Sequence, residues 1–136
     1  MKVDKYEHPD DLLYHNEFCW VKAEGDVATI GLHDFYCQLA GEISFIDMPD
    51  EGDEIKRDER IGTVETGKWV GKLIAPVTGE VIAVNEDVDD DPAIVNESPY
   101  ESWLLKVKLN DPDELKELMT AEDAVPWLEE EIKKHA

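Results

Sequence analysis

Residues 64–73 read Val64-Glu65-Thr66-Gly67-Lys68-Trp69-Val70-Gly71-Lys72-Leu73, which sets a lysine between a glycine and a tryptophan in a chain with only 13 basic residues. Arg60-Ile61-Gly62-Thr63-Val64 leads into it and Leu73-Ile74-Ala75-Pro76-Val77 leads out. The length and β-branched content of each flank predict a strand. The piece between is then a hairpin tip, with Gly67 expected at positive φ and Lys68 pointed at solvent.

Further strands are expected at about 18–23, 26–32, 42–47, 53–56, 59–66, 72–75, 79–84 and 102–109, separated by turns at Glu24-Gly25-Asp26, Pro49 to Asp53 and Thr78-Gly79. A short helix is expected over 34–40, capped by Asp34 and stopped by Gly41, with Phe35, Leu39 and Ala40 facing inward. Asn110-Asp111-Pro112-Asp113 opens a second helix and a third covers about 121–134, acidic early and basic at Lys133-Lys134. The fold class is mostly β with helical edges. The expected division is an N-terminal extension over 1–17, a β-sandwich over 18–110, and C-terminal helices over 111–136 packed on it. Glu51-Gly52-Asp53-Glu54-Ile55 and Thr78-Gly79-Glu80-Val81-Ile82 share a turn glycine, an acid and an apolar strand on either side of Lys68, a weak internal symmetry.

With 34 acidic residues against 13 basic ones, the formal charge is -21. That repels nucleic acid and anionic lipid and favours basic protein partners. No apolar run is long enough to span a bilayer, and MKVDKYEHPDD lacks the order of a signal peptide, so a cytoplasmic location without nucleic-acid or membrane partners is expected. Cys19 and Cys37 lack metal-knuckle spacing, no metal site is expected, and two buried thiols are the simplest reading of the pair.

Longer-range order then points to a family. Trp20-Val21-Lys22, Glu24-Gly25, Val27 to Gly31, Gly41-Glu42, Gly62, Val64-Glu65 with Lys68, Ala75-Pro76-Val77, Gly79-Glu80-Val81, Val95-Asn96, Ser98-Pro99-Tyr100, Trp103-Leu104 and Pro112 to Leu115 occur in the order and spacing of the lipoyl carriers related to the glycine cleavage system H protein. The chain resembles that family over roughly residues 18–130. The resemblance implies a hammerhead-like barrel-sandwich lipoyl domain, with lipoic acid bound covalently to Lys68 by a lipoate-protein ligase. Such a protein is a carrier with no catalytic residues of its own, whose long arm moves groups between enzymes. Gly67 and Trp69 flank the attachment lysine. Glu65 matches the family's acid and either guides the ligase or serves solubility. Biotin carriers use a similar hairpin but set the lysine between methionines, so biotin ranks second.

The resemblance also implies a cargo cleft, and there the chain departs from the pattern. Where the H protein uses an acid before the strand tryptophan, a histidine in the short helix and an aspartate after the lipoyl lysine, this chain has Cys19, Leu39 and Lys72. Loss of both acids and gain of a like charge disfavour the cationic aminomethyl cargo. Glu17 takes over the first acid's role if residues loop out. The pattern is more similar to the lipoate-binding branch of heterodisulfide-reductase-like sulfur oxidation. There Cys19 and Cys37 would line the arm's groove and exchange with its sulfurs, provided that they are accessible thiolates. Two sets of partners follow: a heterodisulfide-reductase-like complex, or alternatively glycine decarboxylase, aminomethyltransferase and dihydrolipoamide dehydrogenase. From another class, an unmodified scaffold or regulatory protein also fits the acidic surface.

Overall fold

The computed structural model describes residues 1–135 of the chain. Its strands are β1 (Lys2–Val3), β2 (Tyr6–Glu7), β3 (Leu13–Tyr14), β4 (Cys19–Glu24), β5 (Val27–Leu32), β6 (Ile43–Asp47), β7 (Glu54–Ile55), β8 (Arg60–Thr66), β9 (Val70–Ile74), β10 (Gly79–Val84) and β11 (Leu105–Leu109). The helices are α1 (Asp34–Ala40), α2 (Glu86–Asp90), α3 (Ile94–Glu97) and α4 (Ala121–Lys134), with a 3-10 turn over Pro112–Glu117.

A six-stranded sheet runs in the order β3-β4-β5-β11-β10-β7, a three-stranded sheet in the order β6-β8-β9, and β1 and β2 form a ribbon. Every pairing is antiparallel, the arrangement that lets one face of a sheet meet water while the other is buried. Alternation does the sorting: Val21, Ala28, Ile30, Val81 and Val107 of the large sheet share one buried cluster with Ile46, Val64 and Leu73 of the small one. This is the expected mostly-β sandwich with helical edges. The two segments of the weak symmetry pair with each other, Gly79 opposite Ile55 and Glu80 opposite Glu54.

Several expectations need correction. Residues 1–17 do not stand apart as an extension: β3 joins the large sheet through β4, and Tyr14 bridges to Met119 just before α4. Asp34 is the first residue of α1, and the cap is His33, whose side chain accepts from the Phe35 amide. Gly41 does end that helix, at φ 78°. The hairpin's return strand begins at Val70 rather than 72, the last long strand begins at Leu105, and the segment from Asn110 opens a 3-10 turn rather than an α-helix. Gly67 is not among the glycines of positive φ. The tip is closed instead by Thr66, whose hydroxyl accepts from the amides of Lys68 (3.2 Å) and Trp69 (3.3 Å) while its own amide donates to the Trp69 carbonyl (3.0 Å).

Candidate functional site

β8 and β9 form one hairpin, with Glu65 opposite Val70, and carry Lys68 at an exposed tip. No described carboxylate lies within salt-bridge distance of the Lys68 ammonium. Its stem leans on the end of α1: a methyl group on Gly41 would sit 3.4 Å from Cε and 3.8 Å from Nζ. Ala40, Gly41, Glu42, Ser44, Gly67 and Lys68 line a shallow cleft of about 480 Å³ there.

The platform under the tip is held by a residue that local pattern did not single out. Asn96 donates to the carbonyls of Cys37 (3.0 Å) and Gly41 (2.7 Å), and its carbonyl accepts from the Ile43 amide (2.8 Å). It therefore satisfies carbonyls left open where α1 ends and ties α1 to β6. Its place in the family-like pattern Val95-Asn96 was the only sequence signal.

Alternation along β9 decides which residues face the arm's base and which face water. Leu73 is buried, and Gly71 and Trp69 share its side, whereas Val70 and Lys72 are exposed on the other. Trp69 folds back over Gly71, where an added methyl would meet its ring at 2.3 Å and the Tyr36 hydroxyl at 2.8 Å. Tyr36 and Trp69 meet edge to face with centroids 5.6 Å apart. The Tyr36 hydroxyl is buried without a hydrogen-bond partner. Burial and the neighbouring Cys19, Cys37 and Glu17 all push its pKa up, so it stays a neutral hydroxyl.

The expected cargo-cleft residues do not converge. Lys72 lies on the exposed face of β9, away from Tyr36. Leu39 packs with Val3, Phe35 and Leu128. Cys19 and Cys37 are buried free thiols. Cys19 Sγ donates to the Ile74 carbonyl at 3.6 Å, and desolvation, helped by Glu17, pushes its pKa up to about 12. Desolvation and then Asp34 push Cys37 further up. Neither is a thiolate near neutral pH, so the proposed exchange with the arm's sulfurs lacks its reactive species. Glu65 lies between Phe45 and Val70 on the outward face of the small sheet. Glu42, at the cleft itself, is an acid whose position only the fold reveals.

The family described as glycine cleavage H-protein matches residues 12–131. The glycine cleavage system H protein of Halalkalibacterium halodurans is 45% identical over 124 residues, covering 90% of this chain and 97% of that one. That of Bacillus subtilis is 50% identical over 115 residues, covering 84% and 91%. The crystal structure of a glycine cleavage system H protein from Mycobacterium marinum superposes with a TM-score of 0.77 at 31% identity, covering 85% of this chain and 95% of that one. With a matching fold, an unpaired lysine at the hairpin tip and a match that spans both sheets, the chain belongs to the glycine cleavage H-protein family.

Proposed function

We propose that this chain serves glycine cleavage as its lipoyl carrier, with Lys68 as the attachment residue. Members of the family carry lipoic acid covalently on a lysine and are not themselves catalytic. The observation that carries the assignment is the exposed, unpaired Lys68 ammonium at the tip of the β8–β9 hairpin, above an open cleft. When bound, the group supplies a flexible dithiol for moving a small fragment between enzymes. The residues present suit it: the Nζ is free to form an amide, and nothing lies within 4 Å of where a Gly67 side chain would begin. Thr66 fixes the turn through its hydroxyl, so the lysine backbone is held while its side chain moves. Partners would be the ligase, glycine decarboxylase, aminomethyltransferase and dihydrolipoamide dehydrogenase.

The relatives favour this alternative over sulfur oxidation, and the buried cysteines and outward Lys72 remove the local arguments for sulfur exchange. Intact mass and peptide mapping after expression with lipoate should find one lipoyl adduct, on Lys68. The lipoylated protein should support glycine-dependent CO2 release by glycine decarboxylase. Lys68→Arg should fold normally and lose both, since a guanidinium does not form the amide. An unmodified chain despite a competent ligase would favour the scaffold reading. A lipoylated chain inert with glycine decarboxylase would remove the glycine assignment.

A further inference from the structure

The chain offers a modifying enzyme several lysines, and exposure does not separate them: Lys22, Lys72 and Lys116 meet water as Lys68 does. What sets Lys68 apart is its backbone. The β8–β9 ladder ends at Glu65 opposite Val70, and Thr66, Gly67, Lys68 and Trp69 form the turn beyond it. The Thr66 amide closes that turn by donating to the Trp69 carbonyl at 3.0 Å. Gly67 does not use the positive φ that tightens most two-residue hairpin loops, so something else must hold the tip.

The Thr66 hydroxyl does so. Its Oγ1 accepts from the amides of Lys68 (3.2 Å) and Trp69 (3.3 Å), and its O–H donates to the Trp69 carbonyl at 3.3 Å. Those two amides belong to the peptide groups on either side of the Lys68 Cα. One side chain therefore fixes the direction in which the lysine leaves the tip. Trp69 is anchored in turn, its ring edge to face with Tyr36 and folded over Gly71. The Lys68 side chain, in contrast, has no ion-pair partner among the described residues. No other lysine amide among the described residues donates to a side chain.

We propose that Thr66 is a positioning residue for lipoylation: its hydroxyl holds the tip backbone in the shape on which the ligase docks, and that shape distinguishes Lys68 from the other exposed lysines. The inference rests on Lys68 being the attachment residue. In the transfer, Nζ attacks the lipoyl carbonyl of an acyl adenylate and the amide C–N bond forms. The bond from that carbonyl to the phosphate oxygen breaks, AMP leaves, and the lysine ammonium gives up two protons to water. Thr66 touches none of the reacting atoms. Without its hydroxyl, water solvates the two amides and the tip samples more backbone states, which the enzyme must then order. Ordering even one residue weakens docking by about fivefold or more, and the loss falls on binding rather than on the chemistry that follows.

Intact mass and peptide mapping first establish a single lipoyl adduct on Lys68 of the wild-type chain. Initial rates of transfer from preformed lipoyl-adenylate are then measured with a lipoate-protein ligase over a range of acceptor concentrations. Thr66→Val, which keeps the shape and strand preference of threonine, should raise the KM for the acceptor about five- to tenfold and leave kcat within about twofold. Thr66→Ser should bring KM back to within about twofold of wild type. Heteronuclear 1H–15N NOEs at the Lys68 amide should fall in Thr66→Val and recover in Thr66→Ser, while both variants melt within about 2 °C of wild type. A wild-type KM in Thr66→Val, a rise that Thr66→Ser shares in full, or tip NOEs indifferent to the hydroxyl would overturn the proposal even with the adduct on Lys68 confirmed. A wild-type chain that takes no adduct on Lys68 would remove the attachment reading itself, and the proposal with it.

Discussion

Cys19→Glu would put a carboxylate where a thiol now sits 1% exposed in the sandwich core. From the sequence that change looks like a restored cargo acid, but here it buries a charge without a basic partner, and we expect a loss of about 3 kcal/mol or more in urea unfolding. Lys72→Asp, on the exposed face, should change stability by less than about 0.5 kcal/mol. A Cys19→Glu protein as stable as wild type would mean that the thiol faces a wet cleft after all. Both thiols should likewise resist iodoacetamide in native protein at pH 8 and react fully in urea, because burial holds them protonated. The role proposed for Lys68 came from the family resemblance, whereas its exposed tip position was legible from the strand patterns on either side. Tyr36 was not, since a tyrosine on a short helix looks like any apolar-face residue, and its orphaned hydroxyl exists only because residues 36, 69 and 71 meet across the fold.

Among the elements, those that alternate were legible and those that borrow their stability were not. β8, β10 and the first half of β5 alternate between a buried and a more open face, so period two announces them, whereas β4 is buried on both faces over Cys19–Val21 and was legible from its apolar run. α2 and α3 are five and four residues long, α2 mostly acidic, and no hydrophobic stripe marks either. α2 is started by the Asn85 side chain, which accepts from the Asp87 amide. The start of β9 was missed because Trp69-Val70-Gly71-Lys72 offers no β-branched run, and its register comes from pairing with β8. Two substitutions separate tip from platform. Gly67→Ala should leave stability within about 0.5 kcal/mol, because the position needs no positive φ and an added methyl meets nothing. Asn96→Ala would strand the Ile43 amide and two carbonyls at the end of α1, and should cost about 2–4 kcal/mol while speeding hydrogen exchange at Ile43. Indifference at Asn96 would show that water replaces it freely and that the platform under Lys68 is not held there.

For the molecule as a whole, two histidines close the chain on itself. The His33 Nδ1 accepts from the Phe35 amide, so its proton sits on Nε2 and is donated to His8 Nδ1 at 3.0 Å; His8 Nε2–H then donates to the Ala121 carbonyl at 2.8 Å. One proton relay thus joins the N-terminal ribbon, the start of α1 and the start of α4, which is why residues 1–17 belong to the body rather than hanging from it. Sequence did not disclose this, because the partners are 25 and 113 residues apart. Both rings are fully buried, and a second proton on either would leave two donors facing each other. Desolvation, with His8 beside it, holds the His33 pKa down at about 3, and desolvation also lowers that of His8. The unfolded chain takes up these protons near pH 6.5 while the folded chain refuses them, so below 6.5 the unfolded state binds more protons and stability falls as the pH drops. Urea unfolding from pH 7.5 to 5.5 should show that loss setting in before the acidic residues titrate, with a slope approaching about 1.4 kcal/mol per pH unit from His33 and a contribution of the same sign from His8. His8→Gln, which can still donate to Ala121, should reduce the slope. A stability profile flat across that range would mean that the rings are hydrated, or that the N-terminal ribbon detaches before the rest unfolds.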